Sequence, residues 1–143
     1  MIAYADTGFL VSLYGPDSNS AMATSLVRSK PVFLLTSLGE AEFTNAVELR
    51  VFRKEWTRLE ARTVRDLFQQ HQAAGVFRMA PLGTEIWERA LALSRGHSAK
   101  LGTRTLDLLH VASALILKPD VFYTFDKRQR TLAKTQRLRI LPR

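Results

Sequence analysis

The sequence predicts an α/β fold built around a mainly parallel β-sheet, and three observations point there. Short apolar runs alternate with segments of helical periodicity along the whole chain, the pattern of repeated strand and crossover-helix units. One helical segment, Leu106 to Leu117, is almost entirely apolar and has to be buried at the centre of the protein. No internal repeat, linker or low-complexity stretch divides the 143 residues, so a single domain over 1–143 is expected.

The elements follow in order. Ile2 to Ala5 is a first strand, and Phe9, Leu10, Leu13 and Tyr14 after Asp6-Thr7 repeat at helical spacing until Gly15-Pro16 breaks them. Ser18 to Arg28 resumes a helix and Val32 to Leu35 is a second strand. Thr36-Ser37 opens a long helix to about Lys54, and a second from Thr57 to about Ala73 completes a helical hairpin. Within its first turn, Ser37-Leu38-Gly39-Glu40 has the capping-box spacing, which gives Glu40 a structural explanation. Val76 to Met79 is a third strand ended by Pro81, Thr84 to about Ser94 a helix, and Gly96 and Gly102 mark a loop. The apolar helix stops at Lys118-Pro119. Val121 to Phe125, Lys127 to Thr135 and Leu138 to Leu141 read as strand, short helix and fifth strand.

Composition narrows the chemistry. With 46% hydrophobic and 24% charged residues the chain is too apolar to be disordered. It has no cysteine, which excludes disulfides, thiolate metal sites and cysteine nucleophiles and fits a cytoplasmic protein. No run approaches the roughly 20 apolar residues of a membrane span, and no basic region followed by a long apolar stretch opens the chain as in a signal peptide. Lys and Arg outnumber Asp and Glu 21 to 13, a formal charge of +8, which favours polyanionic partners through counterion release. After Asp126 the chain carries Lys127, Arg128, Arg130, Lys134, Arg137, Arg139 and Arg143 and no acid. That tail reads either as a phosphate-binding face or as a solvated basic surface, or as a contact for an acidic protein.

In open parallel sheets functional groups collect beyond the carboxyl ends of the strands. Asp6 follows the first strand and Asp126 the fourth; taken alone, each is well explained as a helix N-cap. Glu42 lies among Leu38, Ala41, Ala46 and Val47, on a helix face where a carboxylate is costly unless it is paired. Asn45, one turn on, either contacts the same site or bonds locally. Asp107 heads the apolar helix, where Thr105 is a possible cap and the helix dipole favours a first-turn acid; the sharper reading aims Asp107 at the same strand ends as Asp6. Four converging carboxylates repel unless a cation neutralises them. An all-oxygen set selects Mg²⁺ or Mn²⁺, and such an ion, or two about 4 Å apart, supports phosphodiester hydrolysis. A cation-free route through a histidine acid/base pair is the rival, with His110 inside the apolar helix better read as a satisfied core residue. No G-x-S-x-G elbow or Gly-rich phosphate loop is present.

Taken together, Tyr4-Ala5-Asp6-Thr7, Thr36-Ser37 leading to Glu42-Phe43-Thr44-Asn45-Ala46, Arg104-Thr105-Leu106-Asp107-Leu108-Leu109-His110-Val111-Ala112 and Tyr123-Thr124-Phe125-Asp126-Lys127-Arg128-Gln129 resemble the PIN-domain nucleases, most of all the VapC-type toxins of toxin–antitoxin pairs. The resemblance runs through the whole chain. It implies a three-layer α/β/α sandwich with a five-stranded parallel sheet whose first and fourth strands are neighbours. It implies that Asp6, Glu42, Asp107 and Asp126 bind Mg²⁺ or Mn²⁺ and activate water, with Thr7 and Thr124 orienting ligands, in an endoribonuclease that leaves 3′-hydroxyl and 5′-phosphate ends. It also implies a homodimer and a small antitoxin that wraps the toxin, blocks the acidic pocket with a basic side chain and adds DNA binding. A housekeeping RNA-processing or DNA nuclease, and a PIN-like scaffold that holds nucleic acid without cutting it, are the alternatives.

Overall fold

A computed structural model describes all 143 residues. Five strands form one all-parallel sheet in the order β3-β2-β1-β4-β5. They are β1 (Ile2–Ala5), β2 (Val32–Thr36), β3 (Phe77–Ala80), β4 (Val121–Tyr123) and β5 (Ile140–Leu141). The helices are α1 (Thr7–Tyr14), α2 (Ser20–Leu26), α3 (Ser37–Phe52), α4 (Arg58–Ala73), α5 (Thr84–Leu93), α6 (Ala99–Leu101), α7 (Thr105–Leu117) and α8 (Lys127–Thr135).

Period-two alternation in the central strands divides the core into two layers. Ala3, Ala5, Phe33, Leu35, Val121 and Tyr123 face one side, where Phe9 of α1, Ala23 of α2, Phe43 and Val47 of α3 and Phe68 of α4 pack on them. Tyr4 and Phe122 belong to the other, beneath Ile86 and Leu93 of α5, Leu108 to Ala112 of α7 and Leu132 of α8. Sheet and two helical layers make the expected α/β/α sandwich. The apolar α7 is buried from Asp107 through Ala114, and α3 and α4 form the expected hairpin, tied by Glu48 to Arg65 and by Gln72 to Glu40.

The chain runs outward from β1 through β2 to β3, then returns to lay β4 and β5 on the other flank of β1. The winding direction therefore reverses between β1 and β4, and a crevice opens at their carboxyl ends.

Several local expectations are corrected. The second helix starts at Ser20, not Ser18, because Asp17 and Ser20 close a turn after Pro16. Thr36, not Ser37, caps α3: its hydroxyl accepts the Gly39 N–H at 3.1 Å, and Glu40 reaches Gln72 across the hairpin instead of closing a capping box. The loop expected around Gly96 is a π-helical turn, Ser94–Ser98, that carries the chain from α5 into α6. Only Gly102, at φ 64°, ends the helical path, in the left-handed conformation that glycine adopts without strain.

Candidate active site

Asp6 stands where β1 turns into α1, with its side chain buried. One carboxylate oxygen, Oδ1, accepts the Phe9 N–H at 2.8 Å and caps the helix; Oδ2 accepts the Thr124 hydroxyl at 2.6 Å. Asp126 repeats the arrangement after β4, with Oδ1 accepting the Gln129 N–H at 2.9 Å to cap α8. The cap and the site are therefore not rival explanations. Each carboxylate caps its helix with one oxygen, while the other accepts the Thr124 hydroxyl in Asp6 and the Arg104 guanidinium in Asp126. Thr124, fully buried, joins them: it donates to Asp6 and its oxygen accepts the Asp126 N–H at 3.0 Å.

Glu42 has the partner that its position demands. His110 Nε2 lies 2.5 Å from Glu42 Oε1, and His110 Nδ1 lies 2.8 Å from the Tyr4 hydroxyl. Burial pushes the Tyr4 phenol well above its ordinary range, so it stays protonated. His110 thus shares one hydrogen bond with the phenol through Nδ1 and a second with Glu42 through Nε2. His110 is accordingly a buried residue with both ring nitrogens partnered, and it fixes Glu42.

Asp107 is 1% exposed. Oδ2 accepts the backbone N–H of Arg104 at 3.0 Å and its Nε–H at 3.1 Å; Oδ1 accepts Arg104 Nη2 at 3.2 Å and Gln129 Nε2 at 3.2 Å. Burial acts to raise its pKa, but these donors and the arginine charge outweigh burial and hold the carboxyl below the usual range. Thr105 is not the cap; Asp107 itself reaches back to the N–H that opens α7. Arg104 Nη2 also reaches Asp126 Oδ2 at 3.3 Å.

All four acids line one open cleft of about 540 Å³ at the carboxyl ends of the strands, with Thr7 and the fifth acid Asp17. The two arginines in its wall, Arg50 and Arg104, leave the acids in excess. A negative cleft is thus cut into a protein of net charge +8. The chemistry of the donors suits a hard cation: they are carboxylates, and the Thr7 hydroxyl and the Gln129 amide oxygen are buried beside them without a hydrogen-bond partner. No three acidic or histidine side chains already close on a common cation position; Arg104 lies between Asp107 and Asp126 instead. Asn45 is corrected: it is exposed and absent from the cleft, because two residues along α3 turn it about 200° from the buried Phe43.

Sequence reasoning did not single out Arg104, Gln129, Asp17 or Arg50. Gln129 had a usable signal, a polar residue three positions after a capping aspartate. Asp17 and Arg50, paired at 3.3 Å, come together only through tertiary packing.

Burial, aided by the nearby Asp126, raises the pKa of Asp6 above the carboxylate range. The folded protein thus favours protonated Asp6, a stabilising preference present at low pH and lost as pH rises through the raised pKa. In EDTA at pH 7.5, Asp6→Asn, which keeps the cap, is expected to raise Tm by about 3 °C, with the gain shrinking toward pH 4. Differential scanning fluorimetry at both pH values checks this; a lower Tm at pH 7.5 contradicts it.

A parallel sheet with a carboxylate-lined cleft at its switch point describes an α/β protein whose site lies beyond the ends of its strands. The chain belongs to the PIN domain family, whose profile matches residues 3–135. The crystal structure of FitAcB from Neisseria gonorrhoeae superposes with a TM-score of 0.67 at 16% identity, over 98% of this chain and 96% of that one. That of VapC20 from Mycobacterium tuberculosis, a sarcin-ricin loop cleaving toxin, gives 0.67 at 18% identity over 90% and 93%. A toxin–antitoxin complex from Klebsiella pneumoniae gives 0.58 at 16% over 89% and 88%. At these identities the likeness is one of fold. No curated protein matches the sequence significantly.

Proposed function

We propose that the protein is a divalent-cation-dependent endoribonuclease and the toxin of a toxin–antitoxin pair. The observation that carries this reading is the acidic cleft in a basic protein: the surface draws a polyanion, and only a cation reconciles that polyanion with the carboxylates it meets. Membership of the PIN family and likeness to a toxin that cleaves the sarcin-ricin loop support it.

Asp6, Glu42, Asp107 and Asp126 would hold Mg²⁺ or Mn²⁺. When bound, the ion supplies Lewis acidity at a phosphoryl oxygen and lowers the pKa of water. The protein's part is to keep four carboxylates in place: Thr124 holds Asp6, His110 holds Glu42, and Gln129 spans Asp107 and Asp126. Thr7 brings a buried hydroxyl with no other partner. In the net reaction one water adds to phosphorus and the bond to the 3′ oxygen breaks, leaving 3′-hydroxyl and 5′-phosphate ends. Lys127 and Arg128, exposed on the first turn of α8 beside Asp126, are the candidates for receiving the RNA backbone. Arg130 is not, since its guanidinium binds the carbonyls of Thr124 and Pro142.

An antitoxin partner follows from the same reading, supported by the toxin–antitoxin complex among the structural neighbours. So does homodimerisation, for which Trp87 and Leu91, exposed one turn apart on α5, offer apolar surface. No helix is long and apolar enough to cross a membrane, and the reading places the protein in the cytoplasm.

The test is cleavage of structured RNAs by purified protein with Mg²⁺ or Mn²⁺ and then with EDTA. Cleavage that depends on the cation is expected. Cleavage that survives EDTA overturns the reading, and salt-sensitive RNA binding with no products under any cation assigns a scaffold. Growth arrest on expression, relieved by Asp107→Asn and by a co-expressed small neighbouring protein, separates a toxin from a housekeeping nuclease.

A further inference from the structure

We propose that Arg104 is an exchangeable counter-ion of the cleft: its guanidinium holds the charge position between Asp107 and Asp126 in the cation-free protein, and an incoming divalent cation must displace it. This rests on the cation-binding reading above and adds a competitor that is part of the chain itself.

The hydrogen-bond count at Asp107 requires displacement. A carboxylate offers about four lone-pair sites, and Asp107 has four donors: the Arg104 backbone N–H and Nε on Oδ2, and Arg104 Nη2 and Gln129 Nε2 on Oδ1. The carboxylate is saturated, so a cation gains an oxygen of Asp107 only when a donor leaves. The backbone N–H is fixed by the start of α7. Gln129 is buried, and its own backbone is tied to Asp126. The Arg104 side chain is 62% exposed, against 2% for that of Asp107. It enters from the solvent side and can withdraw without disturbing the core.

Charge points the same way. The guanidinium also reaches Asp126 at 3.3 Å, so one side chain bridges two of the four carboxylates a cation would neutralise. It is planar and charged at every physiological pH, and it meets Asp107 with two N–H donors. A divalent ion brings twice its charge. Because the arginine is largely solvated, its hold is screened and is weak enough to be exchanged.

Isothermal titration calorimetry with Mn²⁺, without RNA, tests the exchange on the wild-type protein, Arg104→Ala and Arg104→Gln. Circular dichroism confirms that each is folded, and the glutamine variant keeps most of the side-chain stem should the alanine variant fold poorly. Removing the competitor is expected to tighten Mn²⁺ binding about two- to fivefold. In EDTA the variants should melt below the wild-type protein, by a margin that narrows in high salt and closes when Mn²⁺ is added. Equal or weaker Mn²⁺ binding in both variants overturns the proposal while leaving the cation reading intact. Binding of no Mn²⁺ by any of the three proteins overturns both.

Discussion

Asp107→Asn is expected to lower cation-dependent RNA cleavage by on the order of 10²- to 10³-fold, the loss seen when a group that stabilises transition-state charge is removed. Asparagine is nearly isosteric and keeps one acceptor oxygen, so the N–H of Arg104 that opens α7 can still be satisfied. What disappears is a buried negative charge in the middle of the cleft. Single-turnover cleavage with Mn²⁺, alongside far-UV circular dichroism, separates the two effects. A folded variant that keeps a tenth or more of the wild-type rate removes Asp107 from the proposed cation site.

The largest expected effect on stability comes from His110→Ala. The imidazole is 2% exposed and joins the Tyr4 hydroxyl to the Glu42 carboxylate. Its removal leaves a cavity between β1 and α7 and strands a buried phenol, at a cost of about 3 kcal/mol. That corresponds to a fall in Tm of roughly 10 °C for a chain of this size. Glu42 also loses the contact that fixes it, so Mn²⁺ affinity is expected to fall about 10- to 100-fold, as for other residues that orient a metal ligand. Urea denaturation and calorimetry measure the two consequences. A stability loss with undiminished Mn²⁺ affinity would show that Glu42 needs no help from His110.

How much of this was legible beforehand depended on whether the cause was local. The strand Ile2–Ala5 and the helix Lys127–Thr135 coincide with the elements read from periodicity, because apolar spacing and flanking breakers act within a few residues. Asp107 and Glu42 stood out for a related reason: a carboxylate among apolar neighbours needs a partner wherever that partner comes from. Which partner it is depends on long-range packing, and His110 is 68 residues from Glu42. The capping error has the opposite origin. Thr36-x-x-Gly39 and Ser37-x-x-Glu40 are overlapping frames, and the extended backbone of Thr36, φ −93° and ψ 163°, decides between them. That conformation comes from the sheet, which ends at Thr36. Gly96 misled because a single glycine within a helix weakens it by only about 1 kcal/mol relative to alanine, too little to stop α5 from continuing as a π-helical turn. That the first and fourth strands are neighbours came from the family resemblance, and the rest of the strand order from neither the resemblance nor the residues taken singly.

Thr124 bonds to Asp6 across 118 residues of sequence, and the pairing of β1 with β4 that brings them together is equally remote. Closing so long a loop is entropically costly and slow compared with local contacts. The first capping aspartate leaves the ribosome early, while its hydroxyl donor and the companion aspartate are still to be synthesised. A chain ending before Val121 lacks β4, the Thr124 hydroxyl that holds Asp6, and Phe125, Asp126 and Gln129 of the cleft lining. Completion of the cleft is thereby deferred until the segment through Gln129 has been synthesised.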